Sequence, residues 1–131
     1  MAKNKQEKIE ANNLKEEIRE IISPCVKCGM CKSNCPIFKV LKEETSCPRW
    51  HMTLLSEEVY DKILFKCNLC QACEKSCPLG IKICDAIRKS REVLVLEGKE
   101  LEGNKEMIKN IRETGNPSGK KEGSNDKLYC C

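Results

Sequence analysis

The stretch CVKCGMCKSNCP (residues 25–36) packs four cysteines into eleven residues and closes with a proline. The stretch CNLCQACEKSCP (residues 67–78) repeats the same cysteine spacing and the same final proline 42 residues later, although the residues between the cysteines barely match. We call these stretches the first and the second motif. This is repetition of a set of candidate ligands, and it differs from the repeated structural unit of a solenoid.

The composition indicates one small domain with a thin hydrophobic core. Only 40% of the 131 residues are apolar and 34% are charged, with one tryptophan, two phenylalanines and two tyrosines. Small domains with so little core usually need disulfides, a metal or a partner to be stable. The N-terminal segment lacks the apolar stretch of a secretory signal, so we expect a cytosolic protein. In that compartment clustered cysteines indicate metal or redox chemistry more often than disulfides.

Charge and patterning exclude several classes of function. The formal charge of +4 does not indicate nucleic acid as a partner, because lysines alternate with glutamates and form no basic block. The longest aliphatic run, VLVL (residues 93–96), is far too short for a transmembrane segment. The sequence has neither a glycine-rich nucleotide loop nor paired carboxylates for acid–base catalysis. We therefore expect no substrate-transforming site in this chain.

Helical periodicity predicts an all-α fold with two cysteine-rich loops. The first helix is expected from Lys5 to Ile22, because apolar residues recur there at helical spacing and Pro24 prevents continuation. Further helices or turns are expected over residues 37–46, 48–66 with a break near Ser56, 81–98, and 104–113 with Asn104 as N-cap and Gly115 as stop. The residues expected on the apolar face after Pro48 are Trp50, Leu54, Leu55, Val59, Ile63 and Leu64.

The cysteine spacing of the motifs favours iron–sulfur clusters. Three cysteines at C-x-x-C-x-x-C suit one cubane cluster, because each thiolate can bind a different iron and backbone N–H groups of the loop point at the sulfides. The spacing with its final Cys-Pro resembles that of bacterial two-cluster ferredoxins, in which the fourth cysteine ligates the other cluster. That resemblance assigns one 4Fe–4S cluster to Cys25, Cys28, Cys31 and Cys77, and the other to Cys67, Cys70, Cys73 and Cys35.

Zinc and disulfides are the alternatives to iron–sulfur chemistry. Zinc sites usually pair two cysteines with two distant ones, so three in a row followed by Cys-Pro is atypical of zinc. The cysteines outside the motifs are expected to be ordinary thiols or incidental tail residues: Cys47, Cys84, Cys130 and Cys131. His51 is expected to be structural. Three arginines are either solvated charges or contacts with clusters or partners: Arg49, Arg88 and Arg91.

The long helical segments around the motifs resemble the α-helical ferredoxin module, whereas compact bacterial ferredoxins place the same motifs on a β-rich scaffold. This module is found in the C subunit of heterodisulfide reductase and in the iron–sulfur subunits of anaerobic glycerol-3-phosphate dehydrogenase and of glycolate- or lactate-oxidising complexes. The resemblance covers roughly residues 24–119. It is carried by Gly29, by CPRW (47–50), in which Cys47 stands where the family has serine, by CPLGIKI (77–83) and by GNPSG (115–119).

The resemblance implies an iron–sulfur electron-transfer subunit of a larger cytosolic oxidoreductase, either soluble or membrane-associated. Its implied partners are a flavoprotein or ferredoxin that donates electrons and a cysteine-rich catalytic chain, because the sequence stops at LYCC (128–131) without the Cys-Cys-Gly domains of longer relatives. The expected segments are an N-terminal helix (1–23), an α-helical ferredoxin domain with two 4Fe–4S clusters (24–115) and a flexible tail (116–131). A free diffusible ferredoxin, a remnant of a longer oxidoreductase and a zinc-stapled binding module stay open.

Overall fold

A computed structural model describes residues 5–119. Over this range the chain contains helices and no β-strand, which confirms the all-α fold expected from the sequence. The seven α-helices in this range, α1 to α7, are Lys5–Ile22, Met30–Ser33, Pro36–Leu41, Pro48–Ser56, Ala72–Ser76, Ile83–Leu96 and Glu102–Thr114. Two 3₁₀ turns, Glu44–Ser46 and Lys62–Lys66, precede α4 and the second motif. Most of the expected tail, with Cys130 and Cys131, lies outside the described residues.

The two long helices α1 and α6 pack against each other and form the core that supports the two motifs. α1 has the bounds that the periodicity predicted, and its apolar stripe packs against α6. Pro24 follows its last turn and cannot extend the helix. The buried residues of α1 are Ala11, Leu14, Ile18 and Ile22, and those of α6 are Ile83, Cys84, Ala86, Ile87, Ser90, Val93 and Leu94.

The segment between the motifs is broken near Ser56, as expected, but its predicted buried face is partly wrong. Trp50 is 37% exposed and Val59 is 46% exposed, whereas His51 and Met52 are each 1% exposed. Pro48 is buried at the start of α4, and residues three, four and seven positions later fall on the same helical face. That face carries His51, Met52 and Leu55, so the buried stripe is rotated away from Trp50.

The chain divides into two compact units, of which one ends at Glu100 and the other begins at Leu101. In the second unit α7 begins two residues earlier than expected, so Asn104 lies inside the helix and Leu101 takes the N-cap position. The predicted stop is confirmed. Gly115 adopts φ 71° and its N–H donates to the carbonyl of Ile111 at 2.9 Å, a left-handed conformation that glycine adopts without steric cost.

Candidate metal centre

The first motif forms a loop that borders an apolar pocket. Its first three cysteines line this pocket together with Cys77, the last cysteine of the second motif. The four thiols that share the pocket are those of Cys25, Cys28, Cys31 and Cys77. Arg49 of α4 lies over the loop, and a Cβ atom at Gly29 would approach its Cδ to 3.2 Å. Gly29 therefore gives Arg49 room as well as adopting φ 84°.

The second motif repeats the backbone of the first. The residue before the second cysteine has positive φ in both loops, 55° at Lys27 and 57° at Leu69. The residue after it does so too, 84° at Gly29 and 63° at Gln71. Left-handed residues in a turn can direct successive N–H groups toward one concave side, which favours anionic groups. In the second loop the N–H of Leu69 already donates to the sulfur of Cys67 at 3.4 Å.

Equivalent parts of the two motifs contact each other. The short helices α2 and α5, which follow the second cysteine of each motif, pack together. The Asn34 amide donates to the Ser76 hydroxyl oxygen at 2.6 Å, and these are the equivalent residues before each fourth cysteine. Contact between equivalent positions is the mark of an approximate two-fold arrangement. The two loops therefore face each other within one compact unit.

The fourth cysteine of each motif has the same local conformation. Cys35 has φ −74° and ψ 117°, and Cys77 has φ −79° and ψ 115°, each directly before a proline. Cys77 lines the pocket of the first motif. Burial raises the pKa of Cys67, and the nearby thiol of Cys35 adds to this effect. The structure thus brings Cys77 beside three cysteines of the first motif, and the Cys35 thiol contributes to the raised pKa of Cys67.

Burial controls the ionisation of the central thiols. It raises the pKa of Cys31 to about 11, with smaller contributions from Cys47 and Cys25. It also raises the pKa of Cys73, and Cys84 adds to that increase. Such thiols hold their protons at neutral pH when no metal is bound. Metal binding here must release protons, so its apparent affinity increases as the pH rises.

The donor set fits an iron–sulfur cluster. Among residues 5–119, no three cysteine, histidine or carboxylate side chains are gathered closely enough to hold a single metal ion. The thiols of the first pocket instead border a hollow with almost entirely apolar walls. Thiolates are the soft ligands that iron–sulfur clusters use, and the loop N–H groups complement their negative charge.

Two residues of the segment between the motifs are buried, Cys47 and His51. Cys47 is fully buried, and its thiol donates to a carboxylate oxygen of Glu44 at 3.6 Å. His51 is 1% exposed, and within the described part of the chain neither ring nitrogen has a hydrogen-bond partner. Burial, assisted by the charge of Arg91, lowers the pKa of His51 to about 4. His51 is therefore neutral at physiological pH.

Sequence reasoning left Cys84 and Arg91 without a specific role. The structure places both beside the second motif, whereas Arg88 is exposed and pairs with Asp85 at 3.0 Å. Positions 84 and 91 are two helical turns apart, so they share one face of a helix. That spacing was the only sign in the sequence that the two residues act together, but residues seven positions apart share a face in any helix.

A comparison with protein families defines the class of this chain. Residues 21–81 match the family model described as a 4Fe-4S dicluster domain. The chain is accordingly an iron–sulfur protein with an all-α fold and 4Fe–4S clusters as cofactor. A count of two clusters fits a dicluster domain.

Curated relatives confirm the resemblance predicted from the motifs. The chain is 25% identical over 114 residues to the iron-sulfur C subunit of the CoB–CoM heterodisulfide reductase of Methanopyrus kandleri, covering 76% of this chain and 59% of that protein. It is 32% identical over 107 residues to the C subunit of the ferredoxin/F(420)H(2)-dependent CoB-CoM heterodisulfide reductase of Methanosarcina acetivorans, covering 78% and 63%. It is 30% identical over 86 residues to the glycolate oxidase iron-sulfur subunit of Escherichia coli, covering 60% and 21%.

The chain spans about three fifths of the length of the first of these relatives. Among the described helices, none is long and apolar enough to cross a membrane.

Proposed function

We propose that the chain relays single electrons through two 4Fe–4S clusters as a subunit of a heterodisulfide-reductase-type oxidoreductase. The observation that carries this proposal is the shared pocket of Cys77 and the first three cysteines of the first motif. A 4Fe–4S cluster supplies reversible uptake of one electron, and the chain supplies thiolates, N–H groups and an apolar wall. Each loop also leaves its second cysteine, Cys28 or Cys70, exposed, so each site has its own opening to the surface.

The proposed ligands are crossed between the motifs. One set is Cys25, Cys28, Cys31 and Cys77, and the other is Cys67, Cys70, Cys73 and Cys35. The matching conformations of the two fourth cysteines support a reciprocal exchange. Crossed ligation ties together segments 42 residues apart and adds metal-binding free energy to a fold with a small core.

The number of clusters is tested by chemical analysis of protein purified without oxygen. Two 4Fe–4S clusters require about eight iron and eight sulfide ions per chain. Half that content would mean that only one of the two sets of four cysteines binds a cluster. Zinc without acid-labile sulfide would reject the electron-transfer function and favour a zinc-stapled module.

We also propose a cytosolic location and two kinds of protein partner. These are a flavoprotein or ferredoxin that donates electrons and a cysteine-rich catalytic chain that accepts them. The support is that the relatives are named as subunits of heterodisulfide reductases and glycolate oxidases. Anaerobic capture of the full chain from its own cells tests the proposal. A flavoprotein or cysteine-rich chain in fixed ratio is the expected result, whereas a chain that elutes alone with iron and sulfide would be a free ferredoxin.

A further inference from the structure

One face of α6 directs two polar side chains at the second motif. Cys84 lies in the first turn and is 2% exposed. Arg91 lies two turns later and is partly buried. Neither residue belongs to the eight proposed ligands.

Arg91 brings a permanent positive charge to the backbone of the second motif. Its Nε and Nη2 atoms donate to the carbonyl of Leu64 at 3.1 and 2.9 Å, and Nη2 also donates to the carbonyl of Cys67. The guanidinium packs on the ring of Phe65 at 5.5 Å. Within residues 5–119 no carboxylate forms an ion pair with Arg91, and arginine stays protonated at any physiological pH. A partly buried cation without an anionic partner is costly, so a nearby negative group would stabilise it.

Cys84 places a thiol against the ligands of the second motif. Its backbone N–H donates to a carboxylate oxygen of Glu74 at 2.8 Å, which fixes the start of α6 against α5. Cys73 and Cys84 are buried in the same hydrophobic cluster, and each thiol affects the pKa of the other. When Cys73 is a thiolate bound to iron, it can only accept a hydrogen bond, and the Cys84 thiol becomes the donor.

We propose that Cys84 and Arg91 together raise the reduction potential of the cluster held by the second motif, and of that cluster alone. An added electron makes a cluster more negative, so a nearby cation and a hydrogen-bond donor to a ligand sulfur stabilise its reduced form more than its oxidised form. This proposal rests on the proposed function, because it requires a 4Fe–4S cluster at the second motif.

Among the described residues, the first motif lacks an equivalent arrangement. Arg49 lines the pocket of the first motif but is exposed, so water and salt screen its charge. Cys47, the buried cysteine near Cys31, directs its thiol at Glu44. The second motif therefore has a partly buried cation, Arg91, and a thiol near one of its ligands, Cys84. The first motif has only a solvent-screened cation, Arg49, and its neighbouring thiol donates a hydrogen bond to Glu44.

Redox titration of the full chain, loaded with its clusters and followed by electron paramagnetic resonance, tests the proposal. Cys70→Ser identifies the signal of the second-motif cluster, because it replaces a ligand there. For Arg91→Gln we expect the equilibrium constant for reduction of that cluster to fall at least about tenfold, which is about 59 mV for one electron. Arg91→Lys should keep most of the potential because it retains the charge. Cys84→Ala should lower the same potential by less.

Two matched controls separate this effect from general changes. Arg88→Gln removes a charge from an exposed position of the same helix, and Cys47→Ala removes a buried thiol near the first motif. Both should leave the potential of the second-motif cluster unchanged.

The proposal is overturned if Arg91→Gln and Cys84→Ala keep full iron and sulfide but shift neither potential. It is also overturned if Cys84→Ala loses about half the iron, because Cys84 would then be a ligand. If Arg91→Gln does not fold, Cys84→Ala decides the question, and an unchanged potential of the second-motif cluster in that variant overturns the proposal. A parent chain without iron and sulfide would reject the proposed function itself, which is a different failure.

Discussion

The two cysteine motifs share a backbone but not their surroundings. Left-handed residues occur at equivalent places in both loops, and the fourth cysteines agree within 5° in φ and 2° in ψ. The residues between the cysteines differ almost completely. This agreement indicates that the cysteine spacing and the following proline determine the backbone conformation of the loop, because three thiols must converge on one side of it.

The surroundings of the motifs differ in exposure and charge. The first motif itself carries exposed apolar side chains, with Val26 72% and Met30 56% exposed. The second motif has Cys73 5% exposed and the partly buried Arg91 bonded to its first carbonyl. Equal ligand geometry with unequal surroundings is how a protein gives two chemically identical clusters different potentials. Four predictions test this comparison.

Replacement of the fourth cysteines has the largest expected effect. Cys77→Ala should abolish the same resonance signal as Cys28→Ala, and Cys35→Ala the same signal as Cys70→Ala, because each fourth cysteine completes the other motif's cluster. Each variant should lose about four of eight iron ions. Iron analysis and electron paramagnetic resonance of anaerobically purified protein provide the measurement. If Cys77→Ala instead removed the signal that depends on Cys70, ligation would be within each motif and the comparison of crossed sites would fail.

Much of this arrangement was predictable from the sequence, for reasons that particular residues show. The bounds of α1 followed from its apolar stripe and Pro24, and the stop of α7 followed from Gly115, because these signals are local. The loops followed from cysteine spacing. The buried stripe of α4 was not predictable, since His51 is a polar residue that tertiary packing buries and Trp50 an aromatic one that packing leaves exposed.

The contacts of α6 were not predictable either. The two-turn spacing of Cys84 and Arg91 was visible, but only the fold shows that the helix passes beside the second motif. The left-handed conformation of Gln71 was also hidden, because glutamine gives no sign of positive φ.

His51, a buried side chain of α4 whose pKa is lowered by burial and by the charge of Arg91, offers the second prediction. Its pKa of about 4 lies below the ordinary 6.5. Between about pH 4 and pH 6.5 the unfolded chain therefore binds a proton at His51 that the folded chain does not bind. Stability should therefore fall as the pH decreases from about 6.5 to about 4, by up to roughly 3 kcal/mol from this residue. In His51→Leu this contribution disappears.

Anaerobic denaturant unfolding of parent and His51→Leu at several pH values provides the measurement. Titration of the cysteines affects both proteins, so the difference between them isolates His51. At neutral pH the variant should be as stable or more stable, because it removes a buried group that makes no hydrogen bond within residues 5–119. Parallel pH profiles of the two proteins would contradict the prediction.

Exchange of Gly29 and Gln71 tests whether the loops are equivalent in energy as well as in shape. Gly29→Gln should destabilise the fold by about 1–2 kcal/mol, because a side chain at φ 84° is strained and its Cβ crowds Arg49. Gln71→Gly should stabilise it by about 0.5 kcal/mol, since relief of strain exceeds the entropic cost of glycine only slightly. Denaturant midpoints measure both changes. Gln71→Ala is the control, because it shortens the side chain and keeps the strain; an equal gain there would show that strain is not the cause.

The contact between Asn34 and Ser76 has the smallest expected effect and tests the two-fold arrangement directly. A double-mutant cycle of Asn34→Ala and Ser76→Ala should give a coupling energy of about 0.5 kcal/mol, the low end for a hydrogen bond, because both residues are solvent-accessible. The cycle is needed because the Ser76 hydroxyl also donates to the carbonyl of Ala72 at 3.0 Å, so Ser76→Ala alone removes two hydrogen bonds.

Ser33→Ala combined with Ser76→Ala is the matched control, since the Ser33 hydroxyl donates within its own motif, to the carbonyl of Met30. Equal coupling in both cycles would mean that the equivalent ends of the motifs do not meet in solution, and the loops would then be related by their cysteines alone.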